Sequence, residues 1–307
     1  MQLEGIHHIT AITADAQQNV DFYAGTLGLR MVKKTVNQDE PSVYHLFYAD
    51  EKGSPGADLT FFEFPGAAPG RAGAGMVHRI GWRVASEDSL DFWAGRLSDH
   101  GFSSERVGAV LRFHDPEGLE HELGVDDSGD EPLIAEHPEI PSEHALRGFS
   151  GARAYAADPA RSHELLAGTL GFSGLNDSWE LRGSERGGNW HYDAPPAERG
   201  IQGAGTVHHI AWASRMEDQE DWQLRVREGG ARPTPVIDRF WFRSVYFREP
   251  SGVLFEIATM GPGFDADEPM ESLGESLVLP PFLEDRRTQI EAVLTPISNP
   301  REAGREG

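Results

Sequence analysis

Short runs of β-branched and aromatic residues, separated by turns rich in Gly, Pro and Asp, recur along the whole chain. They predict short strands, of which the clearest two lie at Ile6–Ile12 and Val207–Ala213. Further strands are expected at Leu59–Phe64, Leu119–Gly124, Asn189–Asp193 and Val253–Thr259. Capping residues and glycine stops predict helices near Asp15–Gly28, Asp88–His100, Pro159–Thr169 and Glu217–Glu228. Short strands that alternate with single helices favour an α+β fold.

The chain also repeats itself. The segment Gly73–Trp82 is echoed by Gly203–Trp212 at an offset of 130 residues, and Ala24–Gly28 recurs as Ala167–Gly171 at an offset of 143. Each half itself contains two similar units, each with a strand, a helix and then several strands. The predicted fold is therefore four βαβββ modules arranged in two tandem halves.

This repeat predicts the domain organisation. Residues 1–125 form an N-terminal domain of two modules, and residues 126–144 form an acidic, proline-containing linker. Residues 145–264 form the C-terminal domain. The tail, 265–307, is expected to hold a helix at Phe282–Val293 and to fray over Pro300–Gly307.

The composition indicates a folded cytoplasmic protein. Of 307 residues, 38% are hydrophobic, which suffices for a core, and no apolar run reaches the roughly 18 residues of a membrane span. The first residues lack the basic and apolar regions of a signal peptide. With no cysteine, the chain has neither disulfides nor thiolate metal ligands.

The charge is strongly negative. Fifty acidic against 27 basic residues give a net charge of −23, which disfavours binding to nucleic acid and to anionic membranes. We hypothesise that such a surface suits a cytoplasm rich in salt, where charges are screened. Thermal stability measured against KCl concentration tests this halophilic hypothesis, and a protein equally stable at low and molar salt would refute it.

Candidate metal ligands emerge when the four modules are aligned. At the second position of the first-strand pair the modules carry His8, Arg79, Gly151 and His209, and at the closing strand Glu63, Glu122, Asp193 and Glu256. Strand alternation places His209 on a face with small neighbours, which leaves room for a metal and a substrate. A glutamate among apolar strand residues is costly to bury without a partner. Two imidazoles and one carboxylate form the facial triad typical of non-haem Fe(II), so we predict the ligands His8, His209 and Glu256.

Longer motifs identify a family. They are Gly5–Thr10, Gly53–Gly56, Val207–Ala211, Asp238–Pro250 and Leu254–Thr259. In these motifs the chain resembles the vicinal oxygen chelate superfamily, and within it the ring-cleaving dioxygenases that act on hydroquinones. The resemblance implies an Fe(II) enzyme, with Mn(II) as the alternative ion, that opens a hydroquinone- or catechol-type ring with O2. Its metal ligands fall on His8, His209 and Glu256.

The same resemblance assigns supporting roles to four residues. His7 and His208 would lie behind the ligands, Arg239 would stabilise a developing oxyanion, and Tyr246 would hydrogen-bond the substrate or an oxygen intermediate. Simple alternation turns His7 and His208 away from the ligands, and puts Arg239 and Tyr246 on opposite faces unless a bulge intervenes. The other histidines of the strands are interpreted as ordinary polar side chains: His45, His78, His114, His121 and His191.

Two alternative functions stay open. A glyoxalase-type isomerase or lyase on the same fold would use Glu63 as a fourth ligand with Ni or Zn. A non-catalytic protein that sequesters quinones or metal would bind its ligand without turnover. The oligomeric state, including a homo-oligomer, is also left open by the sequence.

Overall fold

The computed structural model describes residues 1–300, so the predicted frayed end is covered only at Pro300 and otherwise lies outside the described residues. The described residues form two curled sheets of eight strands each, with few helices, which confirms the α+β fold of four modules in two tandem halves. No helix within these 300 residues has the length and apolar character needed to cross a bilayer.

Sixteen strands form the two sheets of the described residues, and the six strands that the sequence predicts are among them with shifts of one or two residues. In chain order they are β1 Ile6–Thr13, β2 Arg30–Val36, β3 Tyr44–Ala49, β4 Asp58–Glu63, β5 Met76–Val84, β6 Ser104–Val107, β7 Val110–His114, β8 Glu120–Val125, β9 Phe149–Tyr155, β10 Ser173–Leu175, β11 Ser178–Arg182, β12 Gly187–Asp193, β13 Thr206–Ser214, β14 Ile237–Asp238, β15 Arg243–Arg248 and β16 Leu254–Thr259.

The helices also lie where the sequence predicts them, although several are not regular α-helices. The α-helices are α1 Ala16–Val20, α2 Glu87–Asp99, α3 Gln219–Glu228 and α4 Arg287–Glu291. Helix α1 continues as a π-helical segment, Asp21–Thr26, and the third predicted helix consists of a 3₁₀ turn at Pro159–Ser162 and a π-helical segment at Glu164–Leu170. The tail helix starts as a 3₁₀ turn, Pro281–Arg286, and ends in α4.

Each sheet combines one module from each half of the sequence. The first sheet has the order β14-β15-β16-β13-β1-β4-β3-β2, and the second has the order β10-β11-β12-β9-β5-β8-β7-β6. The opening strands pair antiparallel at the centre of each sheet, β1 with β13 and β5 with β9. The first and fourth modules therefore share one sheet, and the two ends of the chain meet in it.

Two β-bulges interrupt the pairing of β1 with β13. The register moves from Ile6 opposite Trp212 to His8 opposite Ala211, which leaves His7 as an extra residue on β1. It moves again between Thr10 and Ala11, which leaves His208 as the extra residue on β13. A bulge places two consecutive side chains against a single partner residue, so simple alternation fails at these two positions.

The linker and the tail are both fastened to the sheets. In the linker, the buried Asp130 receives hydrogen bonds from Arg83 (2.7 Å) and from Arg182. In the tail, Asp267 and Glu268 pair with the fully buried Lys33 of β2, whose Nζ lies 2.9 Å from Asp267 Oδ1. These ion pairs place both segments against the folded core.

Candidate metal centre

Three neighbouring strands at the centre of the first sheet bring the predicted ligands together. Ala211 of β13 lies opposite His8 of β1 on one side and beside Glu256 of β16 on the other. The Nε2 atoms of His8 and His209 are 3.2 Å apart, and Glu256 Oε2 lies 3.2 Å from His8 Nε2 and 2.9 Å from His209 Nε2. All three side chains are buried, so the sheet converges them on one point.

This donor set fits a divalent metal ion. Among residues 1–300, neither carboxylate oxygen of Glu256 has a hydrogen-bond partner, although the side chain is fully buried. A carboxylate oxygen and two ring nitrogens crowd together at about 3 Å, which is the spacing of adjacent ligands around an octahedral ion with bonds of about 2.1 Å. Two imidazoles and one carboxylate are also ligands that suit non-haem iron. The geometry is therefore that of three ligands on one face of a metal.

A backbone carbonyl sets the protonation of the first histidine pair. His7 Nε2 lies 3.1 Å from the carbonyl oxygen of Thr259 and must donate to it, because a carbonyl only accepts. In neutral His7 the Nδ1 atom is then an acceptor, and it lies 2.9 Å from His8 Nδ1. His8 therefore donates from Nδ1 and keeps the lone pair of Nε2 free for a metal. Burial lowers the pKa of His7 to about 3, consistent with its neutral state.

The second histidine pair repeats this contact without the anchor. His208 Nδ1 lies 2.8 Å from His209 Nδ1, but the His208 side chain is exposed. Burial lowers the pKa of His209, which is the member of this pair that the sheet encloses. The bulges thus turn His7 and His208 toward the ligands, and the orientation expected from strand alternation is wrong for both.

Two opposing effects act on the pKa of Glu256. Burial alone would raise its pKa, but the adjacent imidazoles of His8 and His209 hold it well below its usual range. A buried negative charge of this kind requires a positive partner. The site therefore carries its own attraction for a cation.

A pocket opens beside the three ligands and encloses about 400 Å³, counting its opening to solvent. Its walls are mainly aromatic and its rim is polar. The lining residues beyond His8 and His209 are Asn37, Gln38, Asp39, His45, Phe47, Phe62, Arg239, Trp241, Phe242 and Tyr246. Such a pocket suits a planar, mostly apolar molecule with a few polar groups.

Arg239 and Tyr246 both face this pocket. Arg239 lies in a tight turn between β14 and β15, where Trp241 N donates to Arg239 O at 3.0 Å, so strand alternation does not govern it. Its guanidinium lies 5.6 Å from the centre of the Tyr246 ring and pairs with both oxygens of Asp39 at 3.2 and 2.9 Å. Burial and the charge of Glu256 raise the pKa of Tyr246, so its phenol keeps its proton and can donate.

Glu63 does not join the ligands. By register, the position of the first module that corresponds to Glu256 is Thr60, beside Thr10. Glu63 lies three residues further on, where its Oε1 accepts a hydrogen bond from Ala16 N at 3.2 Å. It therefore stabilises the start of α1 and is absent from the cluster of buried donors that His8, His209 and Glu256 form.

Two parts of the pocket were not expected from the sequence. His45, interpreted there as an ordinary polar side chain, is buried in the pocket wall and hydrogen-bonds Thr60 Oγ1 at 2.8 Å. The loop after β2 supplies the rim. Alternation of His45 with Phe47 along β3 was a signal that both face the same side, but no local pattern marks the loop.

The equivalent positions of the second sheet hold a different set of side chains. Pairing of β9, β5 and β8 places Gly151 where the first sheet has His8, Arg79 where it has His209, and Glu122 where it has Glu256. Arg79 Nη1 lies 3.2 Å from Glu122 Oε2, and its Nε lies 3.0 Å from Glu120 Oε2. An ion pair thus occupies the place of the metal site.

Comparison with known proteins places the chain among enzymes of one superfamily. It is 40% identical to "Putative ring-cleaving dioxygenase MhqA" of Bacillus subtilis (strain 168), over 97% of this chain and all of the relative. It is 31% identical to the chlorohydroquinone/hydroquinone 1,2-dioxygenase of Sphingobium indicum, over 94% of this chain and 95% of the relative. These names confirm the prediction of an oxygen-incorporating oxidoreductase of the ring-cleaving class.

Solved structures agree. The crystal structure of a "putative dioxygenase" from Bacillus subtilis matches with a TM-score of 0.90 at 41% identity, over 97% of this chain and 98% of that one. Glyoxalase I from Zea mays shares the fold alone, with a TM-score of 0.55 at 14% identity over 83% of this chain and 92% of that one. A family model matches residues 5–123 and 148–257. The chain belongs to the Glyoxalase/Bleomycin resistance protein/Dioxygenase superfamily.

Proposed function

We propose that the protein is an Fe(II)-dependent dioxygenase that opens a hydroquinone- or catechol-type aromatic ring with O2, with Mn(II) as the alternative ion. The observation that carries this proposal is the convergence of His8, His209 and Glu256 beside an aromatic-walled pocket. Three protein ligands leave further coordination positions for substrate and O2. The names of the relatives support the same reaction class and substrate class.

The metal, when bound, would lower the pKa of a phenolic hydroxyl and bring the substrate and O2 together. The chain's own residues would do the rest. The aromatic walls, Phe62 and Phe242 among them, would stack on the ring and exclude water. Tyr246 would donate a hydrogen bond to an oxygen in the pocket, and Arg239 would stabilise negative charge that develops there.

The four-ligand isomerase is disfavoured by the position of Glu63, which is engaged at the start of α1. A non-catalytic binder differs in a measurable way, because it would hold a hydroquinone equally well after the metal is removed by a chelator. The sequestering alternative therefore predicts binding without metal, whereas a dioxygenase requires the metal for turnover.

The test is O2 uptake by protein purified without oxygen and loaded with Fe(II) or Mn(II). Hydroquinone, chlorohydroquinone and catechol are offered separately, and loss of the aromatic absorbance is followed with O2 consumption. We expect O2 uptake and ring opening in equal amounts with at least one substrate. Absence of O2 uptake with all three, in protein that contains one metal per chain, would overturn the proposal.

A further inference from the structure

The carboxyl group of Asp58 is buried beside the candidate metal centre. Asp58 is the first residue of β4, and by register it lies beside His8 of β1. Its side chain is 1% exposed, and neither of its oxygens has a hydrogen-bond partner in the part of the chain that the structure describes. Leaving a carboxyl group without partners in a protein interior costs free energy in either protonation state. A native position of this kind calls for an explanation.

The surroundings of Asp58 point to the histidine pair. A carboxylate oxygen of Asp58 and a ring nitrogen each from His7 and His8 all lie within 4.8 Å of one another. The next acid, Asp50, is already engaged, since it accepts hydrogen bonds from Ser54 N at 2.6 Å and Ser54 Oγ at 2.9 Å. Asp50 and Glu256 both act on Asp58 by repulsion, so neither offsets its burial.

The second sheet supplies a natural comparison. There the residue at the register position of Asp58 is Asn189, and its neighbour on β9 is Gly151 in place of a histidine. In the first sheet, Asp58 lies beside a strand that carries the two imidazoles of His7 and His8. In the second sheet, Asn189 lies beside a strand that carries no imidazole at these positions. Asn189 is also exposed, so it bears none of the cost that burial places on Asp58.

We propose that Asp58 is a positioning residue of the metal centre, which acts on the cation through the His7–His8 pair; this inference rests on the metal site of the proposed function. Asp58 makes no hydrogen bond to either ring, so it acts through space: a negative charge within 4.8 Å of ring nitrogens of His7 and His8 makes the free nitrogen of His8 a better donor. A bound dication also attracts the buried carboxylate through a medium of low polarity. Asp58 therefore opposes folding without metal and favours the metal-bound state.

The test compares three metal-free proteins: the wild type, Asp58→Asn, and the matched control Asn189→Asp in the second sheet. Each is titrated with Mn(II) by isothermal calorimetry, with a chelating dye as competitor. We expect Asp58→Asn to bind Mn(II) about 10- to 100-fold more weakly. We also expect its thermal midpoint without metal to rise by about 2–4 °C, because the unpaired carboxyl is gone. The control should change neither quantity.

The outcomes separate this inference from the proposed function. If the wild type binds one Mn(II) per chain and Asp58→Asn binds it with unchanged affinity, the role of Asp58 is refuted and the metal site stands. If the wild type binds no divalent ion, both fail together. A purely structural role would lower the thermal midpoint of Asp58→Asn and leave its affinity unchanged. Should circular dichroism show that Asp58→Asn is unfolded, Asp58→Ser takes its place, with the same expectations for affinity.

Discussion

The two sheets of this protein have the same construction and opposite contents at the equivalent point. In the first, His8, His209 and Glu256 face one another, and no Lys or Arg side chain of the described residues lies between them. In the second, Arg79 replaces the histidine and pairs with Glu122. In both sheets, the carboxylate on the closing strand needs a positive partner. One sheet would obtain it from a metal ion and the other obtains it from a guanidinium.

The second sheet also lacks room for a metal-ligating side chain at the position that corresponds to His8. A Cβ atom added at Gly151 would lie 2.3 Å from the carbonyl oxygen of Asn189, which is closer than any real contact. A side chain at residue 151 would therefore collide with β12, at the position where the first sheet carries the imidazole of His8. Glycine at position 151 is therefore required by the packing of β9 against β12, in addition to lacking the ring nitrogen that His8 supplies in the first sheet.

The largest expected effect comes from removing the carboxylate ligand. We expect Glu256→Gln to weaken metal binding by more than about a hundredfold, since it removes a direct ligand and not merely a group behind one. The matched change in the second sheet, Glu122→Gln, should leave metal binding unchanged. Metal content after dialysis and calorimetric titration measure both. Equal losses in the two variants would contradict the assignment of the site to the first sheet.

The next effect comes from an attempt to rebuild the triad in the second sheet. The double change Arg79→His with Gly151→His restores the ligand types beside Glu122. We expect no second metal ion, and a loss of about 1–3 kcal/mol in the free energy of unfolding, because the new side chain at 151 meets the backbone of β12. Metal stoichiometry and urea unfolding decide the question. Two bound ions per chain would show that the two sheets differ only in their side chains.

A smaller effect is expected behind the ligands. His7→Gln should weaken metal binding about 10-fold or more, because it disturbs the hydrogen bond that fixes the protonation of His8. The equivalent residue of the second sheet is Ser150, and Ser150→Ala serves as the control. A metal titration of both variants gives the comparison. If His7→Gln bound metal as tightly as the wild type, the hydrogen bond to Thr259 would have no role in setting the ligand.

The smallest effect concerns the ion pairs of the second sheet. Burial alone would raise the pKa of Glu120, but hydrogen bonds and charge from His78 and Arg79 lower it from 4.5 to about 2. A lowered pKa in the folded state contributes stability above pH 4.5, and that stability is lost as the pH falls toward 2. We expect Glu120→Gln to lose about 1–2 kcal/mol at pH 7 and to approach the wild type at pH 2.

Urea unfolding of the metal-free protein at several pH values measures this difference. A constant gap between Glu120→Gln and the wild type from pH 7 to pH 2 would mean that Glu120 acts by packing and not by charge.

Much of this molecule could be predicted from its sequence because the information is local. Strand and helix positions follow from periodicity and capping, and the repeat aligned His8 with His209 directly. The bulges at His7 and His208 could not be predicted, since an extra residue is visible only when two strands separated by about 200 residues are paired. The same limit applied to Glu63, whose alignment with Glu256 was off by three positions.

The pairing of β1 with β13 determines when the site can assemble during protein synthesis. A ribosome that has completed the first 200 residues has made His8 and its neighbours His7 and Asp58, but neither His209 nor Glu256. Strand β1 therefore cannot pair with β13 until the last module has been synthesised. Products that end before the last module would lack two of the three proposed ligands, so the chain must extend at least through Glu256 before this site can hold a metal.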